Sequence, residues 1–298
     1  MFGRKLRRGI AVSPSFLSWV EVSNSKGQPV LVGSAMEELP EGLIVPSFAR
    51  ENISDHSSLK DIINKLIPGG KRSGDISLTI PDAVLKISFL NFDELPKKRE
   101  EVERLILWRL KKSIPLVPEM AKVDYLLSPN ENGSIDVISA VASRKVIKDY
   151  EDIFIKAGFK PRIVDVSSMN LLNFFGEQLK GVFLFLSVSN RSITISVVDN
   201  GQVKLFRYKE LEIKEDRIVK EVFATLTYYN NNFSGNPLEE AYLFVNTEKI
   251  NGQLDGRLGP SFSGHISLLS AESVMRQTED APISENLAAA IGGALRLK

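Results

Sequence analysis

Residues 182–209 read VFLFLSVSNRSITISVVDNGQVKLFRYK, and the fold turns on how that run is parsed. The apolar stretch that starts at Gly181 is interrupted by Ser187, Ser189, Asn190 and Arg191, and nowhere does the chain hold about 18 consecutive apolar residues, so no membrane helix is expected. Alternation of aliphatic, aromatic and polar residues predicts three strands, Val182–Val188, Ser192–Val198 and Gln202–Lys209. Asp199-Asn200-Gly201 between the last two is a hairpin signal, because these residues tolerate positive φ.

The same pattern opens the chain. Arg8–Ser13 (RGIAVS), Phe16–Val22 (FLSWVEV) and Gln28–Leu39 (QPVLVGSAMEEL) read as a second three-strand meander, with Ser23 to Gly27 as a turn. No letter-level repeat links the two blocks, but each precedes helical sequence. Between them lies a helix at Ser57–Ile67, capped by Ser57 or Asp55 and stopped by Pro68-Gly69-Gly70, then a buried strand, Asp75–Ile80. A βαββα unit follows: strand Val84–Leu90, helix Glu94–Ser113 with Pro96 in its first turn, strands Lys122–Leu127 and Ile135–Ala142, and helix Ser143–Ala157 closed by Gly158. Strand Pro161–Val166 and helix Ser168–Leu179 complete the first half. After the second meander come a helix at Asp216–Asn231, a loop at Asn230–Asn236 (NNNFSGN), a strand at Ala241–Val245, irregular sequence from Thr247 to Pro282, and a helix at Ser284–Leu297. Gly292-Gly293 lowers that last helix's intrinsic stability, which close packing would explain.

Composition narrows the function. The 298 residues carry 38 Lys and Arg against 37 Asp and Glu, a net charge of +1, so there is no global drive toward nucleic acid or an anionic membrane. Cysteine is absent, which removes disulfides, thiolate metal sites and a thiol nucleophile. His56 and His265 are the only histidines and are read as surface or loop residues; no Gly-x-Ser-x-Gly turn accompanies them.

The duplicated meander with a βαββα insert resembles the actin-like (ribonuclease H-like) α/β fold, and within it the PilM family of type IV pilus assembly, related to the cytoplasmic part of type II secretion GspL. The resemblance is carried by Met36–Val45 (MEELPEGLIV), Ile76–Ala83 (ISLTIPDA), Leu107–Tyr125 (LWRLKKSIPLVPEMAKVDY), Val141–Val166 (VASRKVIKDYEDIFIKAGFKPRIVDV) and Asn286–Leu297 (NLAAAIGGALRL). It implies a first subdomain over 1–83 with 159–180 and 284–298, an inserted subdomain over 84–158, and a second actin-like domain over 181–283 whose helical part is reduced.

The nucleotide motifs depart from an actin-like ATPase. Two Asp-x-Gly turns should cradle phosphates and Mg²⁺. Here Ala11 stands for the first Asp and Ser13 for its Gly, with Pro14 lacking a donor; Leu186 is read at the second Asp and Asn190 within its turn. Asn246-Thr247-Glu248 replaces the Gly-Gly adenosine motif. Each lost charge-assisted contact is worth about 1.5–3 kcal/mol, so the expectation is no ATP binding, no cofactor and no catalysis. Ser13, Ser15, Ser189 and Arg191 remain as an alternative anion pocket, and an active ATPase or a GspL-like adaptor as alternative functions. The resemblance further implies a cytoplasmic scaffold at the inner face of the membrane, attached through a partner. That partner is the N-terminal tail of a PilN-like membrane protein, and the groove positions are Ile87, Phe89, Arg104, Trp108, Lys111 and Tyr125. Trp108 has a plainer reading, packing between the insert and the main domain. The basic N-terminus (Arg4, Lys5, Arg7, Arg8) is read either as frayed or as grazing an anionic leaflet.

Overall fold

The computed structural model describes residues 6–25, 28–67, 73–130, 132–199, 201–233, 237–250, 254–278 and 281–297. The expected Pro68-Gly69-Gly70 stop, Arg4 and Lys5, Lys26 and Gly27, Asn200 and residues 234–236 lie outside these.

Two sheets carry the duplication. The first half holds β1 (Arg7–Val12), β2 (Phe16–Ser25), β3 (Gln28–Glu38), α1 (His56–Leu66), β4 (Gly74–Ile80), β5 (Leu85–Phe92), α2 (Arg99–Leu110), β6 (Ala121–Pro129), β7 (Ile135–Ser143), α3 (Arg144–Lys156), β8 (Phe159–Val166) and α4 (Ser167–Phe174). The second holds β9 (Phe183–Val188), β10 (Ser192–Asp199), β11 (Gln202–Glu210), α5 (Glu215–Asn232), β12 (Glu240–Val245), α6 (Leu254–Leu258), β13 (His265–Leu268), β14 (Arg276–Gln277) and α7 (Ala288–Leu295). The first sheet runs β14-β3-β2-β1-β4-β8 and the second β11-β10-β9-β12-β13. In each, an antiparallel meander continues through its first strand into two parallel strands. The repeat invisible in the letters is therefore explicit in strand order.

The strands form because their faces bury alternate residues. In β1, Ile10 and Val12 enter one core while Ala11 enters another; in β9, Leu184 and Leu186 face away from Phe183 and Phe185. Such strands are covered on both sides, which is why 182–188 reads as almost continuous apolar sequence. Arg7 and Arg8 are used inside the molecule rather than frayed: Arg8 Nε donates to buried Glu21 at 3.0 Å, and Arg7 to the Leu295 carbonyl at 3.4 Å.

Several bounds differ from expectation for local reasons. Asp55 caps α1, accepting from the amides of Ser57 and Ser58. Helix α2 starts at Arg99, not Glu94, because Pro96 disfavours helical backbone at the residue before it, and Lys98 is still extended. It stops at Leu110, where the Ser113 hydroxyl and amide both turn back onto the Leu110 carbonyl. Helix α4 ends at Phe174, and Asn230–Asn232, expected as loop, are the last turn of α5. Residues 247–282 are not merely irregular: they hold α6, β13 and β14.

The insert is a three-stranded sheet, β5-β7-β6, with α2 on one face. Val102, Ile106 and Leu110 of α2 pack on Val123, Val137 and Val141 in a core of their own. The β–α–β–β–α order matches expectation, but α3 turns its buried face (Val146, Tyr150, Ile153, Phe154) into the first half's core. Gly292 and Gly293 in α7 do mark close packing. A Cβ on Gly292 would overlap the carbonyl oxygen of Asn170 in α4, and one on Gly293 would press on the Ser77 and Thr79 hydroxyls of β4.

Candidate functional site

Between the two halves lies a cleft of about 550 Å³, lined by the β1–β2 turn, the β9–β10 turn, residues 39–50, Asp82, the end of β11 and the approach to α7. The two turns are related by the duplication. Ser13 N donates to Phe16 O as Ser189 N does to Ser192 O, both at 2.9 Å. The serine hydroxyls of both turns are engaged within the turns themselves. The Ser13 hydroxyl donates to Phe16 O at 3.0 Å and accepts from the amides of Phe16 and Ser15 at 2.9 and 3.3 Å. The Ser189 hydroxyl lies 3.1 Å from Ser192 O and 2.8 Å from Ser192 Oγ. Arg191 pairs with Glu41 of the other half across the cleft.

Register corrects one sequence assignment. Ala11 pairs with Ser18 in the first hairpin, and Ser187 with Thr194 at the corresponding place in the second. The residue equivalent to Ala11 is therefore Ser187, which lines the cleft; Leu186 is fully buried on the opposite face. A one-residue slip along a strand exchanges its faces, and sequence alone did not fix it. Ala11, Ser13 and Asn190 do line the cleft. Asn190 Oδ1 accepts from Thr247 Oγ1 at 2.7 Å, and its carbonyl from Lys249 Nζ at 3.0 Å.

Asp82 was missed. It is buried at the cleft wall and joins three elements: Oδ1 accepts from the Ser168 amide at 3.0 Å and the Ser168 hydroxyl at 2.9 Å, and Oδ2 from Thr194 Oγ1 at 2.8 Å. It thus supplies the acceptor at the start of α4, whose own cap residue Val166 offers none. Burial pushes its carboxyl up from the ordinary value, against the hydrogen bonds that pull it down. The available signal was an Asp directly after the apolar strand Ile76–Ile80 and Pro81. On the facing wall Tyr208 donates to Glu210 at 3.0 Å, and burial raises the Tyr208 hydroxyl's pKa.

The groups that an actin-like ATPase would turn toward a triphosphate and Mg²⁺ are replaced in this cleft. The two metal-facing carboxylate positions are Ala11 and Ser187, the Ser13 and Ser189 hydroxyls bond within their own turns, and Asp82 occupies the positive end of α4. Among the described residues no group of three or more His, Asp or Glu is placed to hold a metal ion. His56 lies 2.6 Å from Asp149 and His265 3.3 Å from Glu240, both outside the cleft.

The six groove positions fall on different surfaces of the insert. Arg104, Trp108 and Lys111 share the outer face of α2, at i, i+4 and i+7; Lys111 sits over the Trp108 ring at 5.3 Å, and Trp108 is 58% exposed. That exposure rules out the plainer reading in which Trp108 packs against the main domain. Tyr125 is half-buried on the helix-facing side of β6 under the Arg99 guanidinium, 5.3 Å from its ring centre. Leu90 and Phe92 of β5 face α2, so Ile87 and Phe89 project from the other face, where Phe89, Ile138 and Leu126 form one cross-strand row.

The family model for type IV pilus assembly protein PilM matches residues 9–212. No curated protein sequence is detectably similar. Solved structures share the fold at low identity. A PilM–PilN type IV pilus biogenesis complex aligns at 18% identity and TM-score 0.81 over 98% of each chain. A Bacteroides thetaiotaomicron protein of unknown function with an actin-like ATPase fold aligns at 13% and 0.56, over 97% of this chain and 96% of that one. The cytoplasmic domain of EpsL, an inner-membrane component of the Vibrio cholerae type II secretion system, aligns at 10% and 0.54, over 99% and 96%. The fold is actin-like, and among the described residues no helix is long and apolar enough to cross a membrane. With the family match spanning two strand blocks and the insert, this chain belongs to the PilM family of type IV pilus assembly proteins.

Proposed function

We propose that the chain is a non-catalytic scaffold of a type IV pilus assembly platform, sited at the cytoplasmic face of the inner membrane. It holds the N-terminal tail of a PilN-like membrane protein on its insert. One observation carries the reading: Trp108 stands exposed on α2 between Arg104 and Lys111, on a helix whose opposite face is fully used by the insert core. A large aromatic left in water beside two cations is the kind of anchor a peptide covers. β6, beside α2, is an edge strand of the insert sheet, so an extended tail has backbone groups to pair with there. The family membership and the complexed relative support the choice of partner. The absence of a carboxylate at both metal-facing positions, Ala11 and Ser187, supports the absence of turnover.

The test is tail binding by calorimetry, using peptides from candidate membrane proteins encoded near this gene. Trp108→Ala is expected to weaken binding at least ~10-fold, with unfolding free energy changed by less than about 0.5 kcal/mol because the side chain is exposed. Phe89→Ala run in parallel separates the α2 surface from the far face of the sheet. If no tail binds, or if only Phe89→Ala matters, the α2 surface is not the docking site.

A further inference from the structure

The two halves of the molecule share one core across their junction. Ala11 and Val20 of the first sheet, Phe175 at the end of α4, and Phe185 and Phe244 of the second sheet belong to a single apolar cluster. The Phe175 ring centre lies 5.2 Å from that of Phe244 and 6.4 Å from that of Phe185, and all three rings are buried. Domains that meet through small polar contacts swing against one another, whereas a large apolar junction resists the motion. In the wall of the cleft, which Phe244 also lines, one polar contact crosses the junction out of water. Asp82 belongs to the first half and Thr194 to β10 of the second; Asp82 Oδ2 accepts from Thr194 Oγ1 at 2.8 Å, and both residues are buried. The carboxyl cannot follow β10 if the halves part, because Oδ1 is held by the Ser168 amide at 3.0 Å and the Ser168 hydroxyl at 2.9 Å. Parting would therefore strip a buried acceptor and a buried hydroxyl of each other, which is costlier than losing a solvated contact. The Glu41–Arg191 pair spans the same cleft, but both side chains are mostly exposed, and such a pair adds little.

We propose that the Asp82–Thr194 hydrogen bond is a pin that holds the two halves at one angle, so that the cleft neither opens nor closes. The hinge movement open to a two-domain fold is suppressed by a buried aromatic junction and a polar contact that fits at only one separation. The pin also sets the insert. Asp82 stands just before β5, the first strand of the insert, and β5 runs beside β11 of the second half. A fixed angle between the halves therefore fixes where the insert stands against the second sheet. The inference goes beyond the docking role and does not depend on it: tail binding and the angle between the halves are read by separate measurements.

The chain holds no cysteine, so a pair of spin labels can be introduced without removing a native thiol. Lys60→Cys on α1 and Lys220→Cys on α5, both at exposed positions, report the separation of the halves by double electron–electron resonance. The expected result in the full chain is one narrow distance population, unchanged by added salt or by ATP with Mg²⁺. Thr194→Val is close in volume and leaves the Ser168 bonds of Asp82 in place; it is expected to add a second distance population. Thr194→Ser, which restores the hydroxyl, and Glu41→Gln, which breaks the exposed pair, are expected to keep the single one. Several populations in the parent protein, or a shift on adding ATP, overturn the proposal. So does a single population in Thr194→Val, even with a lower melting temperature, because the bond then stabilises the fold without setting the angle. A second population in Thr194→Ser or Glu41→Gln puts the control elsewhere and overturns it as well, whether or not Thr194→Val folds.

Discussion

The Asp82 carboxyl receives three hydrogen bonds in a place closed to solvent, and its proton is held more tightly in the folded chain than at the ordinary value of 3.8. A raised folded pKa means that the native state keeps its proton over a range where the unfolded chain has lost it. This contribution to stability is therefore full below about pH 4 and is lost as pH rises through the folded pKa. Asp82→Asn removes the titration while its amide can still accept from Ser168 and donate to Thr194. Relative to wild type, the variant is expected to gain stability as pH goes from 4 to 7, measured by urea unfolding at each pH; parallel pH profiles would refute the assignment. Gly292 gives a cleaner steric case. Gly292→Ala drives a methyl into the Asn170 carbonyl, and overpacking of this kind costs about 1–3 kcal/mol or more, read as a fall in melting temperature. The glycine pair was legible in the sequence because its cost inside a helix demanded a reason. Asp82 was not, since nothing local shows that Ser168 and Thr194 converge on it. Leu186 was misplaced for a related reason: apolar residues occupy both faces of β9, so alternation could not tell which side meets the cleft.

Among the elements, α2 shows how far pattern reading reaches. Its buried stripe, Val102, Ile106 and Leu110, follows the helical period, whereas its start is displaced from the expected Glu94 by Pro96. Because the insert has its own core, Ile106→Ala is expected to destabilise β5, β6, β7 and α2 by about 2–5 kcal/mol, leaving the first-half and second-half cores in place. Hydrogen exchange resolved by segment tests this: faster exchange confined to residues 85–143 supports an independent unit, and uniform acceleration across the chain rejects it. By contrast, β13 and β14 were hidden in 247–282. They are short, parallel and at sheet edges, so their conformation comes from pairing with β12 and β3 rather than from their own residues.

Over the whole molecule, the two meanders were the strongest sequence signal and their recurrence implied the duplicated architecture. The return of residues 284–298 to the first half was an expectation of the family resemblance and not of any periodicity in the residues. After β13 joins the second sheet, β14 pairs with β3 and α7 packs against β1, β2 and β4. A chain cut after residue 275 lacks both and exposes Ala11, Val20 and Leu31, all buried in the shared core. It is expected to be cleaved rapidly in limited proteolysis within residues 7–38 while the second sheet resists; equal resistance of the truncated and full chains would show that α7 is dispensable. The approach of Gly9 to Ala290 carries a further consequence for biosynthesis. β1 receives this cover from a helix that follows it by some 280 residues in the chain. The first sheet therefore stays incomplete on the ribosome until α7 has emerged, and contacts so distant along the chain form slowly.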